Sequence, residues 1–120
     1  MSRHIYFNNR DEFFRISLDQ IMFFEADRNY TLLHLANGQR LAFAMSLQRM
    51  HDYLVGSLGD DSRMFVRVGK SNIINLTYVF NIDLARRVLR LSAPASPKIH
   101  SLKVSHDALR KLRVMFVSDK

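Results

Sequence analysis

Residues 65–79 read F-V-R-V-G-K-S-N-I-I-N-L-T-Y-V. Phe65–Val68 and Ile73–Leu76 are apolar, largely β-branched runs of strand length, and they flank a polar corner, Gly69-Lys70-Ser71-Asn72. Such runs around a glycine-containing corner predict two strands joined by a short turn. The corner carries a glycine, a cation, a hydroxyl and an amide. A cation and a hydroxyl suit phosphate oxygens, and an amide matches the donor–acceptor edge of adenine. The same stretch opens the basic part of the chain. Residues 62–120 hold 12 Lys or Arg against 3 acids, whereas residues 1–61 hold 6 against 8. The net charge of +7 therefore comes from one half, which predicts an oriented positive surface rather than an evenly charged shell.

Upstream of the corner, four more segments read as strands: Phe13–Ser17, Ile21–Ala26, Tyr30–Leu35 and Gln39–Phe43. Ile21–Ala26 (I-M-F-F-E-A) is nearly continuous in apolar residues and should be buried. Ala36-Asn37-Gly38 separates the last two, and Asn-Gly predicts a two-residue hairpin turn because both positions tolerate positive φ. Ser46 is placed to cap a helix whose Leu47, Met50, Leu54 and Leu58 share one face. Gly56 and Gly59, followed by Asp60-Asp61, are read as its end. Downstream, Tyr78–Asp83, Arg87–Leu91 and Ile99–Val104 are strand candidates. Ser92–Lys98 contains both prolines and reads as a loop, able to interrupt a strand only at a sheet edge. Ser105 is placed to cap a final helix with Leu109, Leu112 and Phe116 inward and Arg110, Lys111 and Arg113 outward. The pattern is a mostly β, mainly antiparallel fold with one central helix and one terminal helix. There is no internal repeat and no linker.

A chain of 120 residues is long enough to bury a core without staples, and the whole of it, residues 1–120, reads as one domain. It has no cysteine, which removes disulfides, thiolate metal sites and a cysteine nucleophile, and fits a reducing compartment. No apolar run approaches the roughly 20 residues of a spanning helix, and the N-terminus lacks the apolar core of a signal peptide. No membrane insertion and a cytoplasmic location are the expectation. A pI near 10.3 makes nucleic acid or an anionic surface the leading partner class. Catalysis finds little footing. The five histidines, His4, His34, His51, His100 and His106, lack metal-ligand spacing. Gly56-Ser57-Leu58-Gly59 lacks the lysine of a phosphate-binding loop. A non-enzyme without cofactor or metal is expected.

Three motifs in order resemble one family. Ile21–Tyr30 (I-M-F-F-E-A-D-R-N-Y) is similar to its opening I-x-Y-I-E-A-x-x-N-Y, and Phe65–Asn75 (F-V-R-V-G-K-S-N-I-I-N) to its centre F-x-R-I-H-R-S-Y-I-V-N. Leu102–Ser105 (L-K-V-S) is similar to the closing L-P-V-S before a short helix. The chain resembles a LytTR-type DNA-binding domain, the output module of many bacterial response regulators, over a core of about residues 14–116. The resemblance implies about ten short strands of ordinary length in small antiparallel sheets. It implies a sequence-specific transcription regulator whose loops, rather than a recognition helix, read successive major grooves of double-stranded DNA. It also implies paired repeats occupied by two copies, as a homodimer on DNA or through another domain. No receiver domain of the usual phosphorylation-controlled kind fits in 120 residues, and the chain reads either as a stand-alone regulator or as a fragment of a longer one, with a separate receiver or sensor protein as one candidate source of control.

Carried over by position, Tyr30 ends a first DNA-facing loop with Asn29 beside it, Lys70 and Ser71 match a central basic–serine pair, and Ser105 and His106 fall in a third segment; Asn72 and Arg110 join them as candidate DNA contacts. Each also has a plain structural reading. Lys70 can be merely solvated, Tyr30 can pair across a sheet, and Ser105 can do no more than cap its helix. Arg67 and Asn75 match frequent family positions and are read as structural. Gly69 and Asn72 replace an imidazole and an aromatic of the family pattern, and His106-Asp107 stands where basic residues are common. Arg86, Arg87 and Arg90 could form a phosphate patch, although strand alternation would split the first two between faces. The departures keep a second class open, a protein-interaction or anionic-surface module on the same scaffold. RNA binding ranks below both, because the phenylalanines read as core rather than as stacking platforms.

Overall fold

The first four residues of β3 (Ile21–Asp27) are buried on both faces of the strand and set the architecture. The computed structural model describes residues 3–94 and 96–117. In chain order the elements are β1 (His4–Asn8), β2 (Phe13–Ser17), β3, β4 (Tyr30–Leu35), β5 (Arg40–Phe43), α1 (Leu47–Leu58), β6 (Phe65–Val68), β7 (Asn72–Asn75), β8 (Val79–Asp83), β9 (Val88–Ala93), β10 (Ser96–Lys103) and α2 (His106–Val117). Every strand pair is antiparallel. The sheets are β1-β2, β10-β9-β8 and a central β5-β4-β3-β7-β6.

The central sheet is a middle layer with a core on each side. Ile21 and Phe24 of β3 join Leu33, Ile73 and Phe65 against β1-β2 and the apolar stripe of α1. Met22 and Phe23 join Ile74 and Val68 against Leu89 and Leu91 of β9 and Leu109 and Leu112 of α2. Two consecutive residues of β3 can face the same side because its pairing with β4 shifts register between Ile21 and Phe23, and a bulge resets the alternation. This explains why I-M-F-F has no polar member: each residue has a core to enter.

Helix α1 has the predicted bounds. The Ser46 hydroxyl accepts a hydrogen bond from the Arg49 N–H at 3.1 Å, satisfying one of the free donors of the first turn. The helix runs through Gly56 and stops at Gly59, whose φ of +57° takes the chain out of the helical path.

Several local expectations change. The β4–β5 connection spans residues 36–39 rather than two, because Ala36 is buried and its N–H donates to the Gln20 carbonyl. Gly38 takes a φ of +96°, while Asn37 instead accepts from the Gln39 N–H through its side chain. Residues 92–98 are not all loop: β9 continues to Ala93 and β10 begins at Ser96. Strand β10 is a sheet edge, where Pro97 costs no ladder bond, and its register breaks between Ser96 and His100. Strand β1 was not among the predicted strands; Ile5 and Phe7 face inward from it. Phe116 was expected in the core and is 41 % exposed; its neighbours Val114, Met115 and Val117 are exposed too, and among the described residues nothing covers the end of α2. Arg87 lies in the β8–β9 turn at a φ of +57°, so Arg86 and Arg87 are turn residues rather than strand neighbours on opposite faces.

The central and three-stranded sheets meet at a histidine pair. The His34 ring of β4 stacks on Phe23 with centroids 4.1 Å apart, and its Nε2 lies 2.9 Å from Glu25 Oε1. His100 of β10 points its edge at both rings, 5.2 Å from Phe23 and 5.7 Å from His34. Burial lowers the His34 pKa from its ordinary value despite the Glu25 carboxylate, and the positive charges of Arg40 and Lys98 act in the same direction as burial. Burial also lowers His100, helped by His34 and Lys98 and opposed by Glu25. Unfolded histidines take up protons near pH 6.5 and these folded ones only below that, so the unfolded chain binds more protons as the solution acidifies. Stability is therefore full above about pH 6.5 and falls as the pH drops through 6.5 toward the depressed folded values. Urea midpoints should decline between about pH 7.5 and pH 5.5, and His100→Gln should flatten part of the decline. Identical pH profiles for the two proteins would exclude His100 as a contributor.

Candidate nucleic-acid interface

Pairing of β3 with β7 brings two hairpin turns to one end of the central sheet. Glu25 faces Asn72 in the ladder, and the Ala26 N–H donates to the Ser71 carbonyl at 2.8 Å. The β3–β4 turn therefore sits beside the β6–β7 turn. In the first, Asp27 pairs with Tyr30 across the hairpin, Arg28 adopts a φ of +57°, and Asn29 and Tyr30 are exposed, Tyr30 by 51 %. A non-glycine residue in that region costs on the order of 1–3 kcal/mol, which the flanking ladder offsets.

In the second turn Gly69 takes a φ of +65°. A Cβ there would meet nothing within 4 Å, so backbone conformation rather than crowding favours glycine. Lys70 and Ser71 are exposed beyond it. Arg67 braces the turn from beneath: its guanidinium donates to Gln48 Oε1 at 3.0 Å and more weakly to the Lys70 carbonyl at 3.4 Å. This gives Arg67 the structural role its position suggested, and ties the turn to the start of α1.

The third segment is the start of α2. The Ser105 hydroxyl accepts from the Ala108 N–H at 3.2 Å, so the serine does cap the helix. A groove between this turn and α2 is lined by Lys70, Ser105, Lys111 and Met115. His106 and Arg110 are exposed and four residues apart on one helical face. Asp107, the residue that would repel phosphate, is ion-paired with Lys111 at 3.2 Å. Both partners are exposed, so the pair is a weak one that solvent competes with.

Asn29, Tyr30, Lys70, Ser71, Ser105, His106 and Arg110 are thus all exposed around the two turns and the first turns of α2. Asn72 is not. It is 6 % exposed inside β7, and its side-chain amide donates to the Phe24 carbonyl at 3.4 Å. Its place in the ladder opposite Val68 turns it inward, so its part is in the sheet and not at the surface. Asn75 is also structural: its amide donates to the Ile21 carbonyl at 2.8 Å and its oxygen accepts from the Thr77 N–H. Two cations were missed. Arg28 stands in the first turn, flagged in sequence only by its place between Asp27 and Asn29, and Lys103 ends β10 beside Ser105.

Exposed cations at this end include Arg28, Lys70, Arg86, Arg87, Lys103, Arg110 and Lys111. The shape is open and rimmed by cations, suited to a long anion rather than an enclosed small molecule. Among the described residues no group of three or more His, Cys, Asp or Glu side chains is placed to hold a metal ion. No helix among them is long and apolar enough to cross a membrane.

A family model described as the LytTr DNA-binding domain matches residues 11–116. Among solved structures the chain is similar to one described as the LytTr DNA-binding domain of a response regulator from Bacillus cereus. The two are 20 % identical with a TM-score of 0.64, over 94 % of this chain and 95 % of that one. No curated protein sequence matches the chain.

Proposed function

The chain belongs to the LytTr DNA-binding domain family, and from that premise we propose that it is a transcription regulator that reads double-stranded DNA sequence-specifically through the loops at one end of its central sheet. The observation that carries this reading is the convergence of two exposed hairpin turns and the start of α2 on one basic end, joined by the Ala26–Ser71 hydrogen bond and the groove lined by Lys70 and Ser105.

The roles follow from chemistry. Asn29 and Tyr30 present an amide and a phenol to base edges. Lys70 offers a point charge to guanine O6/N7 or to a phosphate. Ser71 and Ser105 suit backbone oxygens, and Ser105 does so at a helix N-terminus, where partial positive charge favours an anion. His106 and Arg110 extend that contact along α2. Reading successive major grooves of paired repeats with two copies is what the family resemblance adds to this proposal. Homodimerisation on DNA, and a receiver or sensor protein that controls it, complete the reading, which places the protein in the cytoplasm with its duplex.

Lys70→Ala tests it, because the side chain is exposed and its loss leaves the fold intact. Binding to the selected duplex should weaken by about 1–3 kcal/mol if Lys70 reads a base, with relaxed preference at that position. If it holds a phosphate, the slope of log affinity against log salt should fall by about one unit without a change in preference. Full affinity together with an unchanged slope would remove Lys70 from the interface.

A further inference from the structure

Beyond the three segments already described, a second groove opens on the other side of Ser105, lined by Arg86, Arg87, Lys103 and Val104. Its cations come from two places that the fold locks together. The Val104 N–H donates to the Arg87 carbonyl at 3.0 Å, tying the β8–β9 turn to the last residue before the α2 cap. Lys103 faces Val88 in the β9–β10 ladder, directly beside that turn.

The acids nearby do not neutralise the whole cluster. Asp83 accepts from the Arg86 N–H at 2.9 Å, from the Arg86 guanidinium at 3.2 Å and from Arg90 at 3.5 Å. Those bonds, the Arg86 N–H first, hold the Asp83 carboxyl below its ordinary pKa. Arg90 is spent inward, since it also donates to Asn81 Oδ1 at 2.6 Å. Asp83 thus fixes the turn and offsets Arg86 and Arg90. Arg87 and Lys103 make no ion pair among the described residues. Arg87 is also held at a φ of +57°, a backbone state that glycine would adopt more readily. A strained arginine, an adjacent lysine with no acid partner and a serine hydroxyl in one groove form a compact anion site at a fixed distance from the base-reading loops.

We propose that Arg87 and Lys103, with Arg86 alongside, clamp the phosphodiester backbone of duplex DNA next to the segment contacted by α2, setting register and affinity without reading sequence. The clamp rests on the DNA-binding reading above and deepens it. Its chemistry is that of phosphate contacts, in which each neutralised phosphate releases counterion and steepens the dependence of affinity on salt. Base contacts do not share that signature.

The test is a salt titration of binding to one duplex, comparing the wild type with the double variant Arg87→Gly, Lys103→Gln. Glycine suits the positive φ at position 87, and glutamine keeps the strand side chain of Lys103, so both choices spare the fold. The control variant Arg40→Gln, Arg63→Gln removes the same net charge from the opposite end of the central sheet, where Arg40 pairs with His34 and Arg63 precedes β6. The clamp predicts a salt slope shallower by about two units in the first variant only, with the recovered base preference unchanged. Equal slopes in wild type and the first variant, or equal losses in both variants, overturn the clamp while leaving DNA binding in place. A wild-type protein that binds no duplex overturns the clamp and the DNA-binding reading together.

Discussion

Phe23→Ala is expected to destabilise the protein by about 3–5 kcal/mol, the range for removing a buried aromatic ring from a well-packed core. Phe23 is 1 % exposed and stands where the central sheet meets β9, β10 and α2. Its ring stacks on His34 and receives the edge of His100, so the variant loses packing from both layers at once. The damage should reach the proposed DNA-facing end. Lys70 lies on the central sheet, whereas Ser105, Lys103 and Arg87 lie on the other layer, and Phe23 helps hold the two in register. Urea unfolding measures the loss directly, and DNA affinity at a temperature where the variant stays folded should also fall. A loss below about 1 kcal/mol would mean that the layers are held elsewhere.

Asn75→Ala should cost about 2–4 kcal/mol, although it removes only a few atoms. Asn75 is fully buried, donates to the Ile21 carbonyl at 2.8 Å and accepts from the Thr77 N–H at 2.9 Å. Alanine leaves the Ile21 carbonyl short of a partner in the interior, at about 1–3 kcal/mol, and removes the cap on the N–H of exposed Thr77, worth about 1 kcal/mol. Asn75→Asp separates the two bonds, because aspartate keeps the acceptor for Thr77 but loses the donor to Ile21 and buries a charge. Both variants should unfold at lower urea than the wild type. An alanine variant within about 0.5 kcal/mol of wild type would show that neither bond matters to the fold.

What the sequence made legible was local. Helix α1 could be read to the residue because Leu47, Met50, Leu54 and Leu58 keep helical spacing and Ser46 precedes them. Strand β3 was readable as buried, but the reason for its unbroken apolar run, a core on each face with a bulge between Ile21 and Phe23, depends on layers formed by distant segments. Asn72 was misplaced by a single step. Whether the turn ends before or after it depends on its pairing with Val68 and Glu25, and one residue of register decides between surface and interior. Arg87 read as a strand residue because nothing in A-R-R-V announces a left-handed turn; Asp83, four residues earlier, is what fixes it. Strand β1 hid in a short run whose alternation, Ile5 and Phe7 inward, becomes meaningful only against β2 and α1. The loops of the interface were named through family resemblance. Their meeting at one end rests on the β3–β7 pairing, a contact between segments nearly fifty residues apart in the chain, which no local pattern encodes.

The central claim is that the basic end of this fold reads base sequence in duplex DNA. Selection from a random duplex library at about physiological salt, where purely electrostatic binding is suppressed, tests it most directly. The account predicts enrichment of a short motif, present as two direct copies about one helical turn apart, bound roughly 10³-fold or more tighter than unrelated duplex. Uniform recovery of all sequences, with binding that simply fades as salt rises, would contradict it and would mark the basic face as a general anion or protein-docking surface.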